Sequence, residues 1–315
     1  MKTHFNTLAI LFLLTLFTLG GCKKTKPEEA PKEQKTERKI VLKAVIKDDG
    51  KTEYQYNEFG KVERINRFSN ATGLFEYLIY DYTDNQLKQI RKFGPDYESN
   101  EMALQNIYKV FYRNNKIARI ERYDANKEDI GNHLFFKYQD SVAATGPLSA
   151  FLINDSGSDS EDYIYETLIL DNRDNIIKEH TIRKRDNHSS TETESEFEYD
   201  NSINPLYGLD GFEKMLPPEY AIDDSFNLIS FLSPNNCVKA LRKFEAYRRT
   251  ISISSVYTYN ENKMPLKLKT KVTTTSPQYV DYDPSDIGVD PIMVTTVKNF
   301  NQQFEYQTIT LKVIP

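Results

Sequence analysis

The chain has 315 residues, a formal net charge of −5, 21 tyrosines, 18 phenylalanines and no tryptophan. Residues 1–21 contribute one positive charge and residues 22–39 hold seven basic and four acidic residues, so residues 40–315 carry −9. That acidity argues against a nucleic-acid partner, because neutralising phosphates requires a positive surface. The many aromatic residues favour strands over helices.

The first 21 residues have the three parts of a secretory signal peptide. A basic start at Lys2 precedes an apolar run from Phe5 to Leu19, which is shorter than the roughly 20 residues that span a bilayer. Gly20-Gly21-Cys22 then reads as a lipobox, at which the signal is cut and the cysteine is acylated. The alternative is an ordinary cleaved signal that ends in a chance cysteine.

Residues 22–39 predict a disordered tether behind the lipid anchor. This stretch is rich in Lys, Glu and Pro and has no large apolar side chain that could offset the entropy of ordering. The expected location is therefore the bacterial cell envelope, at the outer membrane. Both the periplasmic and the surface-facing leaflet are compatible with it, and Lys23 and Lys24 favour the periplasmic side.

Three segments then share one hairpin pattern: Tyr54–Phe68, Tyr80–Phe93 and Val110–Tyr123. Each has an aromatic arm, a turn rich in Asn, Asp or Gly, and a returning arm with apolar residues three apart. Looser copies cover Leu168–Ile182 and Val256–Leu268, and the period of about 29 residues is typical of stacked supersecondary units. Asn, Asp and Gly tolerate the positive φ of tight hairpin turns.

The returning arms allow two interpretations. Val62, Ile65 and Phe68 have the spacing of a helix, yet seven residues form too little helix to be stable alone. A strand with a bulge near the turn explains the same spacing, and we favour it.

The predicted fold is all-β, a large antiparallel meander whose sheet is strongly twisted or rolled and barrel-like. Residues 40–315 are expected to form a single domain. A proline-punctuated stretch at about 204–240 interrupts the alternation and predicts one short irregular or helical insert, with helical turns at Phe212–Leu216 or Phe226–Leu232.

The turn pattern, Tyr followed by Asn or Asp and then by Lys and an apolar residue, resembles tyrosine-aspartate (YD) repeats. Together with the lipobox and the segments Asn204–Leu209 and Asn235-Asn236, it resembles a Bacteroidota lipoprotein family of unknown function. The resemblance implies a porin-like antiparallel sheet and supplies no catalytic residues. The charged side chains of the returning arms favour a water-exposed rolled sheet over a lipid-facing one.

One candidate ligand face emerges, because basic residues recur at equivalent places in the returning arms. If the hairpins stack, a positive stripe could hold an anionic polymer or a head group. The alternative is a solvated face with acidic cross-strand partners such as Glu53, Glu76 and Asp81. The stripe comprises Lys88, Lys92 and five arginines, which are the candidate ligand residues: Arg64, Arg67, Arg91, Arg119 and Arg122.

Other polar clusters carry weaker signals. The aspartates at 281, 283, 286 and 290 match no calcium loop, and the acidic stretch at 155–162 reads as a solvated loop. His133, His180 and His188 lack metal-ligand spacing, and Cys237 is expected to be a small buried side chain. We predict no catalytic residue, metal or other cofactor.

The leading functional hypothesis is a lipid-anchored envelope protein with a non-catalytic binding or structural β domain. Its partners would be the membrane, through the anchor at Cys22, and a protein or glycan of the envelope. The first alternative is an envelope glycan hydrolase, which needs paired carboxylates across a cleft. The second is an accessory subunit of an outer-membrane complex, which predicts an exposed apolar patch.

Overall fold

In a computed structural model of the chain, the described residues are 36–96, 98–114, 116–138, 148–154, 163–184, 191–207, 233–278 and 292–312. They form sixteen strands and one 3₁₀ turn at Glu245–Tyr247. The strands are β1 Thr36–Lys47, β2 Gly50–Tyr56, β3 Val62–Ser69, β4 Gly73–Thr83, β5 Gln86–Pro95, β6 Met102–Arg113, β7 Lys116–Asp124, β8 Asp129–Tyr138, β9 Leu148–Asn154, β10 Tyr163–Leu170, β11 Ile176–Lys184, β12 Thr191–Ile203, β13 Asn235–Phe244, β14 Arg249–Tyr259, β15 Pro265–Gln278 and β16 Ile292–Lys312.

All consecutive strands pair antiparallel, as the sequence predicts for a meander. The strand order is that of a closed barrel, in which β16 lies beside β1. One compact unit spans Arg38–Leu311. The all-β antiparallel fold class is confirmed.

A register shift follows the turn in five hairpins. Between β2 and β3, Tyr56 pairs with Val62 and Gln55 pairs with Arg64, so Glu63 is the extra residue. The hairpins β4–β5, β6–β7, β10–β11 and β14–β15 shift at the same place. Because of the extra residue, Val62 and Ile65 both reach the core, with 4% and 0% exposure. The predicted bulged strand is confirmed, and the short-helix alternative is wrong.

The turns before these bulges use a side-chain oxygen to organise the backbone. The Asn57 carboxamide oxygen accepts hydrogen bonds from the N–H groups of Phe59 and Lys61, at 3.0 and 3.1 Å. Gly60 in this turn has a φ of 73°, which glycine adopts without strain. Asp171 and Asn260 make the same pair of contacts in their turns.

Several tyrosine hydroxyls donate to a carbonyl oxygen of the preceding strand. The Tyr82 hydroxyl donates to the carbonyl oxygen of Val62 at 2.9 Å, where the bulge interrupts the ladder. A polar main-chain group left out of the ladder needs such a partner when it is buried. Among the described residues, four more hydroxyls donate to a carbonyl oxygen of the preceding strand: Tyr56 to Leu42, Tyr199 to Ile176 and Tyr306 to Pro265, each at 2.7 Å, and Tyr257 to Cys237 at 3.4 Å.

Two apolar clusters lie on one face of the sheet. The larger joins β1–β7 to β15 and β16, and its members include Leu42, Tyr54, Ile65, Leu78, Ile90, Ile120, Leu268 and Phe304. The smaller lies under β10–β13 and consists of Leu168, Ile176, Phe197 and Ala240. The apolar interior therefore follows the alternation of the strands.

Two boundaries differ from the sequence prediction. β1 begins at Thr36, inside the predicted tether, and β13 begins at Asn235, inside the predicted insert. A hydrogen bond joins the two ends of the insert, since the N–H of Asn204 donates to the carbonyl oxygen of Pro234 at 2.8 Å. Residues 208–232, which include both predicted helical turns, lie outside the described residues. So do residues 1–35, with the signal, Cys22 and most of the tether.

Candidate functional site

The sheet has two chemically distinct faces in the region β2–β7. The core face carries four side chains with no exposed surface: Ile65, Leu78, Ile90 and Ile120. The outer face is the opposite side of the same strands. Directly opposed residues of an antiparallel pair point to the same face, so the register assigns each side chain to one of the two.

The five predicted arginines divide between these faces. Arg67 lies opposite Glu76 and Arg122 lies opposite the buried Tyr108, which places both on the core face. The outer face carries Arg64, Arg91 and Arg119. The single positive stripe is therefore corrected to two separate sets. Residues three apart in a strand with period two must point to opposite sides.

On the core face the basic residues have acidic or amide partners. Arg67 and Lys92 both form ion pairs with Glu76, whose side chain is 11% exposed. The Nε of Arg122 donates to the carboxamide oxygen of Asn106 at 2.9 Å. This set thus forms a polar layer next to the isoleucines, in which Arg67 and Lys92 share one carboxylate and Arg122 has an amide partner.

A second ion pair is buried under β11–β13. The guanidinium of Arg242 contacts the carboxylate of Glu179, and the two side chains are only 4% and 2% exposed. The Nε of Arg242 also donates to the Ser195 hydroxyl at 2.8 Å. This pair is a structural element of the interior, since solvent barely reaches it.

On the outer face, cations lie over aromatic rings. The guanidinium carbon of Arg64 is 4.0 Å from the centroid of Tyr77, whose ring stacks on Phe93 at 4.5 Å. The Lys109 ammonium lies 3.9 Å from the Tyr123 ring. A cation held over an aromatic face is stabilised by the ring quadrupole while it stays accessible to a ligand.

The other outer arginines also have carboxylate partners. Arg91 makes two hydrogen bonds to Asp81, at 2.8 and 3.0 Å, and this hydrogen bonding raises the pKa of Arg91 above its usual value. The terminal nitrogen of Arg119 lies 2.9 Å from Glu121. The expected alternative of cross-strand acidic partners therefore describes Arg67 and Arg91 correctly.

A groove of about 440 Å³ opens on β5 and β6. Its volume lies in the range of small-molecule sites, which is roughly 300–1,000 Å³. The lining combines two ammonium groups, two carboxamides and two aromatic rings with one aliphatic side chain: Lys88, Lys109, Gln86, Gln89, Phe111, Tyr112 and Val110. These groups can bind an anion, hydrogen-bond hydroxyls and cover an apolar ring face at the same time.

Of the predicted positive stripe, the lining of the groove contains Lys88 and none of the five arginines. Lys109 and Phe111 lie on the outgoing strand β6, whereas the sequence argument followed only the returning arms. Lys88 is the extra residue of the β4–β5 bulge, because Tyr82 pairs with Leu87 and Asp81 pairs with Gln89. The alternation of Lys109 and Phe111 with the buried Tyr108 and Val110 was the signal that could have identified them.

The remaining predicted positions contribute no site. The side chain of His180 is partly exposed and contacts Glu192, while the side chains of His133 and His188 lie outside the description. The two acidic stretches at 155–162 and 281–290 also lie outside the described residues. Within the described residues, no three potential metal ligands form a cluster. Burial raises the pKa of the Cys237 thiol to about 12.

Comparisons with known proteins give only structural matches. No protein-family model matches the chain, and no curated protein matches it. Among solved structures, it is similar to a porin-like protein from Bacteroides uniformis ATCC 8492, with 13% identity and a TM-score of 0.44, over 86% of this chain and 97% of that chain. It is also similar to a porin-like protein from Bacteroides vulgatus ATCC 8482, with 10% identity and a TM-score of 0.42, over 84% and 98% of the two chains.

No helix in the described ranges has the length and apolar character needed to cross a bilayer.

Proposed function

We propose that this chain is a lipid-anchored protein of the bacterial envelope whose β domain binds an acidic glycan in the groove on β5 and β6. The observation that carries the ligand proposal is the meeting of Lys88, Lys109 and Phe111 in one groove. The anchor is supported by the apolar leader that ends in Gly20-Gly21-Cys22.

The groove suits an acidic sugar because each part of such a ligand has a complement. Carboxylates of the glycan face the ammonium groups of Lys88 and Lys109, in charge-assisted hydrogen bonds. Hydroxyls face the carboxamides of Gln86 and Gln89. The apolar face of a sugar ring packs against the exposed part of Phe111. The side chain of Phe111 is 36% exposed, and the guanidinium carbon of Arg119 lies 4.5 Å from its ring centroid.

The lining of the groove supports binding rather than the hydrolase alternative. None of its described lining residues is Asp or Glu, so the lining itself provides no pair of carboxylates. Two carboxylates flank the lining: Asp81, which accepts from Gln89 at 2.9 Å and also binds Arg91, and Glu121, which lies opposite Lys109. We therefore propose binding without catalysis.

A titration of the full mature protein with an oligomer of galacturonic acid tests the ligand proposal. We expect saturable binding whose affinity falls as the salt concentration rises. The substitution Lys109→Glu should lower this affinity at least tenfold. The matched control is Lys178→Glu, the same charge reversal at a side chain that is 57% exposed on β11. The methyl-esterified oligomer, which lacks the charge, should bind at least tenfold more weakly than the acid.

Equal affinity of the wild type and Lys109→Glu, or no binding of the acidic oligomer, contradicts the ligand proposal. Intact-mass measurement of envelope material tests the anchor separately. The expected product begins at Cys22 and carries acyl mass, whereas a product without acyl mass contradicts lipid anchoring.

A further inference from the structure

Arg64 differs from the other arginines of the predicted stripe in what it contacts. Three of the others form ion pairs with a carboxylate: Arg67 with Glu76, Arg91 with Asp81, and Arg119 with Glu121. Arg122 donates to Asn106 on the core face. The Nε of Arg64 donates to the carboxamide oxygen of Asn66 at 2.7 Å, and its guanidinium carbon lies 4.0 Å from the centroid of Tyr77. Within the described residues, the charge of Arg64 therefore has no ion-pair partner.

Asn66 and Tyr77 fix the orientation of this guanidinium. Asn66 is two residues further along β3, and Tyr77 lies directly opposite Asn66 on β4, so both belong to the outer face. Asn66 is only 7% exposed, and the Tyr77 ring stacks on Phe93, so packing holds both supports in place. Because the hydrogen bond to Asn66 uses Nε, the N–H groups of both terminal nitrogens of Arg64 are left to bind a carboxylate in parallel.

Arg64 lies on the same face of the sheet as the groove on β5 and β6. The register runs directly from Arg64 to Ile79 and from Ile79 to Arg91, and Gln89 of the groove lining is two residues from Arg91 on β5. With strands about 4.8 Å apart and a rise of about 3.4 Å per residue, the Cα atom of Arg64 is about 12 Å from that of Gln89 and about 16 Å from that of Lys109. The partly exposed Ile79 lies between them.

This separation favours an oligomer over a single sugar. One acidic sugar is too short to place a carboxylate on both Arg64 and Lys109, whereas an acidic glycan carries carboxylates at intervals along its length. Between the two cations, a sugar ring can pack its apolar face on Ile79, as another does on Phe111 in the groove. The second contact is then intramolecular, which raises the affinity for the longer ligand.

We propose that Arg64 forms a second anion-binding subsite, which holds a further carboxylate of the acidic glycan that the groove binds. The subsite rests on the proposed function, because the groove supplies the first contact with the glycan. It makes the preferred ligand a chain of several acidic sugars that crosses the outer face from β6 to β3. Of the five arginines of the stripe, Arg64 is the one that contacts it.

Binding of two lengths of one ligand to the full mature protein tests the subsite. The probes are the dimer and the hexamer of galacturonic acid, and the wild type should bind the hexamer at least tenfold more tightly. Arg64→Gln should lower the affinity for the hexamer at least fivefold and leave that for the dimer within twofold, because only the hexamer reaches Arg64. The matched control is Arg249→Gln, which removes a guanidinium that lies 5.4 Å from the Phe244 ring centroid and should change neither affinity.

A second variant keeps Arg64 and removes its availability. Asn66→Asp places a carboxylate beside the guanidinium, which reproduces the arrangement of Arg91 with Asp81. We expect the affinity for the hexamer to fall at least fivefold and the affinity for the dimer to stay within twofold of the wild type. Unchanged thermal melting of both variants shows that the fold is retained. A purely structural role of Arg64 would instead change the binding of both ligands by the same factor.

The outcomes distinguish the subsite from the groove. Wild-type affinity of Arg64→Gln for the hexamer, or equal losses for dimer and hexamer, overturns the subsite and leaves the groove proposal standing. Hexamer binding that is weakened in Arg64→Gln but unchanged in Lys109→Glu supports Arg64 as an anion site and contradicts the groove. Absence of hexamer binding by the wild type overturns both.

Discussion

The two halves of the sheet bury different chemistry at equivalent positions. In each returning strand, one residue pairs with the outgoing strand on the turn side of the bulge: Val62, Leu87, Ile117, Ile176 or Cys237. The side chain three residues later points into the interior. In the first half this position holds Ile65, Ile90 and Ile120, each with no exposed surface. In the second half it holds Glu179 and Ala240, and the carboxylate of Glu179 pairs with the buried Arg242.

The comparison separates what the hairpin requires from what the core requires. Both halves keep the turn, the bulge and the tyrosine contact, as Tyr82 and Tyr199 show. At the compared position the first half has only isoleucine, although the ion pairs of Glu76 lie next to it. The hairpin is therefore set by local geometry, whereas the interior accepts either packed isoleucines or a satisfied ion pair.

Breaking the buried ion pair should have the largest effect. Arg242→Ala leaves the carboxylate of Glu179 without its guanidinium in a site that is 2% exposed. We expect a loss of about 3–5 kcal/mol in the free energy of unfolding, measured by urea denaturation. The control is Lys239→Ala on the same strand, whose pair with Glu198 is 63% exposed and should be worth about 1 kcal/mol or less.

The double replacement Glu179→Leu with Arg242→Met sharpens the comparison, because it converts the second half to the chemistry of the first. Its stability should lie near or above that of the wild type, since neither charge is then desolvated. A double variant as unstable as Arg242→Ala would mean that the ion pair is needed for the fold itself.

Truncating the apolar layer should cost slightly less. Ile90→Ala removes a fully buried side chain from the larger cluster, and we expect a loss of about 2–5 kcal/mol in the same measurement. Ile169→Ala is the matched control, because Ile169 is 44% exposed and should change stability by roughly 0.5 kcal/mol or less. Equal losses at the two positions would contradict the assignment of faces.

The tyrosine contacts should give the smallest effect at neutral pH and a distinct pH dependence. Burial raises the pKa of Tyr82 to about 12, whereas an unfolded tyrosine ionises near pH 10. The contribution of the protonated Tyr82 to the free energy of unfolding is thus fully present below about pH 10. It is lost as the pH rises toward 12, because in that range only the unfolded chain releases the proton. Tyr56 and Tyr199 have pKa values raised in the same direction by burial.

Tyr82→Phe tests this prediction. At pH 7 it should lose about 1 kcal/mol with the hydrogen bond to Val62. At pH 11 the difference in the free energy of unfolding between Tyr82→Phe and the wild type should be smaller, because the wild type is destabilised by ionisation of Tyr82 in its unfolded state and the variant is not. A difference that is the same at both pH values would contradict it, and Tyr247→Phe, at a 56% exposed side chain, controls for the loss of a hydroxyl.

Local features of the fold could be predicted well. The spacing of Val62, Ile65 and Phe68 after a polar turn predicted a bulged strand, which the register of β2 with β3 confirms. A bulge, a turn and a strand each depend on a few neighbouring residues, so their signals are contained in one short segment. The division of Arg64 from Arg67 could also have been predicted from strand alternation alone.

The sequence by itself determined the antiparallel meander and its bulged hairpins, because these follow from contacts between residues close in the chain. Only the tertiary structure decided the rest. Glu179 and Arg242 are in contact although they are 63 residues apart in the chain, and Asp48 contacts Asn301, which is 253 residues away. Such pairings depend on how many strands separate two residues and where each strand ends. The groove on β5 and β6 and the buried ion pair therefore became visible only when the sheet was assembled.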